Sequence, residues 1–220
     1  MSLATRLKTG LAEVWGALRA QFTAGRLRRR RPVNDPASLE RFLHTRASYV
    51  AQTSLYGYLK ARAGTRYPEL FADDVFAASI NIAKWQVWLA CLADLCVYTG
   101  GLVFRRVAVR SEDVTRLMMQ ALDAILDEAG VPADAGPEFA AAAEAARRRV
   151  RRSHWALISD DATPFSESPL ALVQWAPVID EFKRLDEEIV SNSVRFRWQE
   201  VRRDLRASLD AEALLAAAEK

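Results

Sequence analysis

The chain has 220 residues, half of them apolar, with 31 Lys/Arg against 28 Asp/Glu, two cysteines and two histidines. That length buries a core without staples, as one domain with at most a small annex, and two cysteines and two histidines exclude a disulfide framework and leave little material for a zinc site or histidine catalysis. The charge is unevenly spread: the first 31 residues hold eight basic residues and one acid, Glu13, a net of +7, leaving 23 basic and 27 acidic residues, a net of −4, in the other 189.

The basic pI, about 9.0, therefore belongs to the N-terminal arm. At about 100° per residue, Leu3, Leu7, Leu11, Val14, Trp15, Leu18 and Phe22 share an arc of about 120° on a helix. Lys8 and Arg19 flank that arc, and Arg26, Arg28, Arg29, Arg30 and Arg31 follow it. An amphipathic helix with Trp, Phe and Leu on one face and a polybasic run beside it is laid out to lie in the headgroup plane of an anionic membrane. Gly10 and Gly16 each cost about 1 kcal/mol of helix propensity, so the helix is expected to form on binding. Three other readings compete: docking of the stripe on the body, an Arg-rich mitochondrial presequence, and phosphate binding to nucleic acid, which a net-acidic body opposes.

A hinge rich in breakers, Arg31-Pro32-Val33-Asn34-Asp35-Pro36, opens the body. Asp35 as N-cap and Pro36 at N1 predict a helix with Leu39, Leu43, Ala47, Val50, Leu55 and Leu59 inward, ending before Gly64. Tyr67-Pro68-Glu69-Leu70-Phe71 reads as a connector. A second helix starts at Asp73 or Asp74 and is expected to stop at Gly100-Gly101. Its stretch from Trp85 to Phe104 is long enough to span a membrane, but the central Asp94 costs about 2.5–3.5 kcal/mol on insertion scales, and a helix apolar all round is otherwise the buried core of a bundle. Cys91 and Cys96 on this helix point about 140° apart and read as small buried residues.

Ser111, followed by Glu112 and Asp113, opens an amphipathic helix carrying Val114, Leu117, Met118, Leu122, Ile125 and Leu126 to Gly130. The next is predicted over 137–158, with Phe139, Ala143, Ala146, Val150 and Leu157 inward and Arg147, Arg148, Arg149, Arg151 and Arg152 mostly outward. A loop at 160–168 follows, then helix restarts at Ser168-Pro169 and Pro177. The last helix, predicted over 178–207, has a stripe drifting from Phe182, Leu185 and Ile189 to Val194, Trp198, Val201, Leu205 and Leu209, and its distal half is expected to pack on a partner. The Ala-rich tail from Asp210 is expected to fray. The fold reads as all-α: a bundle of about five to six helices, with the arm at 1–31, a helical domain at 32–210 and the tail at 211–220.

No catalytic, metal or cofactor motif emerges. The acid pairs Asp73-Asp74 and Asp160-Asp161 read as caps and turn formers, and His44 as a hydrogen-bonded structural residue within reach of Asp94. Polar residues on faces that the pattern buries form a candidate pocket: Gln52, Ser54, Tyr58, Asn81, Lys84 and Asp94. Such sets either fix a packing or line a site, and an ion pair of Lys84 inside the bundle favours the first.

The segments Arg46-Ala-Ser-Tyr-Val-Ala-Gln-Thr-Ser-Leu-Tyr-Gly-Tyr-Leu-Lys60, continuing through Tyr67-Pro68-Glu69-Leu70-Phe71, with Asn81-Ile-Ala-Lys-Trp85 and Ser193-Val-Arg-Phe-Arg-Trp-Gln-Glu-Val201, resemble a family of uncharacterised bacterial helical proteins. The resemblance covers most of the body and implies a role for no residue. Some members carry an esterase label, but an α/β-hydrolase needs a G-x-S-x-G elbow between strand and helix, and here Gly57 follows Ser54 on a predicted helix.

The expectation is a non-enzymatic, cytoplasmic, membrane-peripheral adaptor or assembly factor, without cofactor or metal. Leu3, Leu7, Leu11, Val14, Trp15, Leu18, Phe22, Arg28, Arg29, Arg30 and Arg31 anchor it to an anionic membrane surface, and the C-terminal helix meets a protein partner. The alternatives are a nucleic-acid or ribonucleoprotein factor using the arm with residues 147–152, Arg195, Arg197, Arg202 and Arg203, and a small-molecule-binding or hydrolytic domain centred on Lys84 and Asp94.

Overall fold

The computed structural model describes residues 31–67 and 72–219. The expected arm helix, with Arg28, Arg29 and Arg30, and the connector at 68–71 lie outside the described residues. The chain divides into two units after Arg31, the second beginning at Pro32.

Among the described residues the second unit is an all-α bundle of seven helices without a strand. They are α1 (Pro36–Ala63), α2 (Asp74–Arg106), α3 (Ser111–Ala129), α4 (Phe139–Arg151), α5 (Glu167–Trp175), α6 (Asp180–Ser208) and α7 (Ala211–Ala218). The number exceeds the expected five to six because the tail is itself a helix. Asp210 accepts from the Ala213 amide and caps α7, and Leu214 is fully buried, which holds the segment against fraying.

Local chemistry sets most boundaries. Asp35 and Ser38 form a reciprocal capping box at the start of α1, with Asp35 Oδ1 accepting from the Ser38 amide at 2.7 Å and Ser38 Oγ accepting from the Asp35 amide at 3.1 Å. Gly64 at φ 54° and Gly130 at φ 60° end α1 and α3 in a conformation that only glycine adopts without strain. Asp73 caps α2 by accepting from the Val75 and Phe76 amides. The α3 start differs slightly: Ser111 is its first residue, and no side chain caps it.

Helix α2 is the axis of the bundle, packed against α1, α3, α4 and α5. It is long and apolar enough to cross a membrane, but 89% of its most apolar window is buried within the protein, as a core helix requires. The expected stop at Gly100-Gly101 does not occur. Both glycines lie inside α2, which runs on to Arg106, and their role is to let other chain segments approach. A Cβ at Gly100 would lie 2.4 Å from the Trp155 ring, and one at Gly101 would lie 2.4 Å from Ile158.

Those contacts also correct the expected end of α4. The helix stops at Arg151, and a short 3-10 turn at Trp155–Leu157 drives Trp155 into the notch over Gly100, leaving it 1% exposed. Leu157, expected inward on a continuous helix, is therefore 80% exposed. Near the same end of α2, Val33 pairs with the end of α6: its amide donates to the Ser208 carbonyl at 2.9 Å, and its carbonyl accepts from Asp210 at 3.0 Å. Arg106 donates to the carbonyls of Arg206 and Leu209, both at 2.7 Å, and so caps α6.

The glycine positions separate packing from propensity. Gly100→Ala is expected to lower stability by about 1–3 kcal/mol through overpacking against Trp155. Gly57→Ala, in mid-α1 with only the tip of Arg197 at 3.4 Å, is expected to raise stability by about 0.5–1 kcal/mol. Urea midpoints of the two variants measure both effects.

Candidate functional site

The polar residues singled out in the sequence do not converge. Gln52 and Asn81 are half-buried. Tyr58, buried on α1, donates to Asp186 Oδ2 of α6 at 3.0 Å, beside Arg62, which bonds the same carboxylate. Burial and the hydrogen bond to the Asp186 carboxylate push the Tyr58 hydroxyl up to about 12. Lys84 bonds Asp134 of the α3–α4 loop at 3.1 Å, and the Trp85 indole donates to the same carboxylate at 2.7 Å. Burial alone would raise Asp134, but the Trp85 and Lys84 contacts hold it below the usual carboxylate range. Ten residues separate Lys84 from Asp94 along α2, about 15 Å at 1.5 Å per residue. The expected cavity between them has no common floor.

His44 does not approach Asp94 either. It is exposed on α1, its ring edge-on to Trp88 with centroids 5.9 Å apart. Ser54 and Gly57 are both inside α1, so the helix denies them the strained turn of a nucleophile elbow. Cys91 and Cys96 are free and buried; burial pushes the Cys96 thiol up to about 12 and Cys91 well above its ordinary value, so neither is a nucleophile near neutral pH.

Among the described residues Asp94 is the one acid with no exposure to water, and its partners come from segments remote in sequence. Arg149 of α4 donates to Oδ1 through Nη1. The amides of Glu167 and Ser168, the first two residues of α5, donate to Oδ1 at 3.2 Å and Oδ2 at 2.8 Å. Ser166, the cap position of α5, makes no capping bond of its own. Asp94 therefore acts as the N-cap of a different helix, satisfying two of the amides that every helix start leaves open and meeting the positive end of its dipole.

The node extends outward. Arg149 Nη2 donates to the Pro164 carbonyl at 2.7 Å, fixing the 159–166 loop. Ser168 Oγ accepts from the Trp198 indole of α6 at 3.0 Å. Trp198 stacks on Phe165 at 4.5 Å, and Phe165 packs on Tyr98 of α2 at 5.1 Å. Five segments, α2, α4, the loop, α5 and α6, are thus tied through one carboxylate. Of the arginines expected mostly outward on α4, two turn inward: Arg149, only 18% exposed, and Arg147, which pairs with Asp123 of α3 at 2.6 Å.

A cleft of 390 Å³ opens beside this node, between Val97, Arg149 and Arg152 and the loop at 157–164. Its polar groups are largely spent within the protein. Arg149 serves Asp94, and Ser159 Oγ donates to Asp161 at 2.7 Å, which with the Thr163 amide lowers Asp161 to about 2. Among the described residues no group of three His, Cys, Asp or Glu side chains converges as a metal site would need.

The surface of α6 reverses another expectation. Its distal half packs on the body: Val194, Trp198, Val201 and Leu205 are buried. The proximal half carries the unpacked residues, with Phe182, Leu185 and Ile189 at 40, 70 and 73% exposure, and Phe196 continues their line at 70%. Apolar spacing detects both stripes in the sequence but does not say which one the body covers.

No family model, curated protein or solved structure matches this chain. Its sites are read from their geometry alone.

Removing the counter-charge tests the node. Burial raises Asp94 above the ordinary aspartate value, while Arg149 and Ser168 oppose that rise. A carboxyl raised in the folded state contributes stability that is present at low pH and lost as pH climbs through its folded pKa. Arg149→Met is expected to cost about 3–5 kcal/mol at pH 7, and the deficit to shrink as pH falls toward the carboxylate range, where a protonated Asp94 needs no counter-ion. Urea unfolding of both proteins across pH measures it; a deficit independent of pH means Arg149 acts by packing.

Proposed function

We propose that the protein is a non-enzymatic, helical adaptor or assembly factor held at the cytoplasmic face of an anionic membrane, with α6 as its protein-binding surface. The observation that carries the reading is the two-faced α6: from Val190 onward one side is seated in the bundle, and the helix offers water four large apolar side chains that the core does not bury. Contiguous apolar surface of this kind marks interaction sites.

The arm supports the location. A +7 segment with an amphipathic stripe precedes a body of −4, so net attraction to an anionic leaflet comes from the arm rather than from the body. The buried polar groups support the absence of chemistry at the candidate pocket, because Lys84, Tyr58 and Asp94 are each occupied by a structural partner.

The nucleic-acid reading loses material. Of the basic residues it invoked on the body, Arg147 and Arg149 are paired with acids, Arg197 donates to Ser193 Oγ at 2.5 Å and to the Thr53 carbonyl at 3.3 Å, and Arg203 lies 3.9 Å from Glu200.

Co-sedimentation with vesicles tests the proposal. The full chain is expected to bind anionic but not neutral vesicles, less strongly as salt rises, and a chain starting at Pro32 is expected to bind neither. Replacing Arg28, Arg29, Arg30 and Arg31 by Gln is expected to cost about 4 kcal/mol, on the order of a thousandfold in affinity. Vesicle binding unchanged by loss of the arm would refute the anchor.

A further inference from the structure

Helix α6 carries its exposed stripe in a regular pattern. At about 100° per residue, Phe182, Leu185, Ile189 and Phe196 fall within about 60° of one another, about 150° from the buried line of Val194, Trp198, Val201 and Leu205. Their spacing of three, four and seven is that of a helix–helix seam, with Phe182, Ile189 and Phe196 at one heptad position and Leu185 at the other. The remaining core-type position is Asn192, a polar residue of the kind that sets register in such seams.

The charges beside this stripe choose the occupant. From 180 to 188 the helix holds Asp180, Glu181, Asp186, Glu187 and Glu188 against Lys183 and Arg184, a net of −3; from 195 to 206 it holds Arg195, Arg197, Arg202, Arg203 and Arg206 against Glu200 and Asp204, a net of +3. A helix with one acidic and one basic half is complementary to itself when reversed. We propose that α6 pairs with α6 of a second copy of this chain, antiparallel, about a two-fold axis passing at Ile189. This rests on the reading of α6 as a protein-binding surface and names the partner.

In that register Ile189 meets its own copy on the axis, Phe182 meets Phe196 of the other chain, and Leu185 lies over Asn192. Glu181 and Arg195 occupy the same flank of the stripe, two heptads apart, and are brought opposite each other twice by the symmetry. Neither has an ion-pair partner among the described residues; Arg195 makes only a 3.4 Å bond to Asn192. A parallel pair would instead set acidic half against acidic half, which like charges at close approach disfavour. A two-fold pairing buries the same patch on both copies and closes without further growth. Four large side chains from each copy, with the charged stems beside them, remove on the order of 1,000 Å² from water, the threshold of a specific interface.

Sedimentation equilibrium of the full chain is expected to give twice the 24.6 kDa of one copy. Ile189→Asp, at a position 73% exposed, is expected to return the mass to one copy with the helical circular-dichroism spectrum unchanged. Glu181→Arg is expected to weaken the dimer about tenfold or more, and adding Arg195→Glu to restore it. Ile189→Cys is expected to be captured as a covalent dimer by a short bis-maleimide, against a background of buried Cys91 and Cys96. A wild-type chain of single mass, or an Ile189→Cys chain that the cross-linker leaves monomeric, overturns the pairing. Vesicle binding is read on the same samples. A monomer that still binds anionic vesicles through its arm overturns the pairing and leaves the membrane reading standing, whereas a dimer indifferent to vesicles does the reverse.

Discussion

A single carboxylate without access to water organises this fold. Asp94 lies in the middle of a 33-residue helix whose surroundings are almost wholly apolar, and an isolated charge there would cost several kcal/mol. The chain meets that cost with an arginine 55 residues away and with the amides of a helix start more than 70 residues away. Each partner fixes a piece of architecture. Arg149 sets the rotation of α4 on α2, and the Glu167 and Ser168 amides dictate where α5 begins and which end faces the core. Ser168 in turn receives the Trp198 indole and aligns α6.

The same region shows how sequence-remote packing reshapes local preference. Gly100 and Gly101 carry no side chains, so Trp155 and Ile158 close on the α2 backbone, and α4 has to end early to deliver them. The loop that follows is pinned at Arg149 through the Pro164 carbonyl and at Tyr98, whose hydroxyl donates to Asp160 at 2.6 Å while Arg206 holds that carboxylate at 3.2 Å. Burial and the Asp160 carboxylate both raise the Tyr98 hydroxyl, so it remains a donor. Polar chemistry in this half of the protein is thus devoted to closing the loop over the core.

On α6 the balance is different. The helix has 29 residues, about 43 Å at 1.5 Å per residue, and its buried side chains begin only at Val190. Its distal half is seated, while the proximal half is held mainly at its edge by Asp186, which Tyr58 and Arg62 bond, by the Arg62 guanidinium 4.6 Å over the Phe182 ring, and by Lys183 on the Gln174 carbonyl. These contacts position the helix and cover part of Phe182 but leave Leu185, Ile189 and Phe196 open. Surface left over in this way, on a rigid element and in heptad spacing, is suited to binding another helix.

Features decided within a few residues were legible in the sequence. The Asp35-Pro36 start, the Gly64 and Gly130 ends, the inward lines of α1 and α3 and the all-α class follow from backbone preference and 3.6-residue periodicity, which need no knowledge of the rest of the chain. Features that depend on which surfaces meet were not. Gly100-Gly101 has the composition of a helix stop, yet it is a notch for Trp155; residues 137–158 keep a helical pattern, yet the turn after Arg151 breaks it. Asp94 reads as a buried polar group, but neither Arg149, one of five arginines in a row of six residues, nor a helix start at 167 is marked in the sequence as its partner. The two stripes of α6 are equally apolar on paper, and only the docking of Trp198 onto Ser168 and Phe165 determines which faces the core. Periodicity reports that a face is apolar; complementarity of shape and charge across distant segments determines what, if anything, covers it.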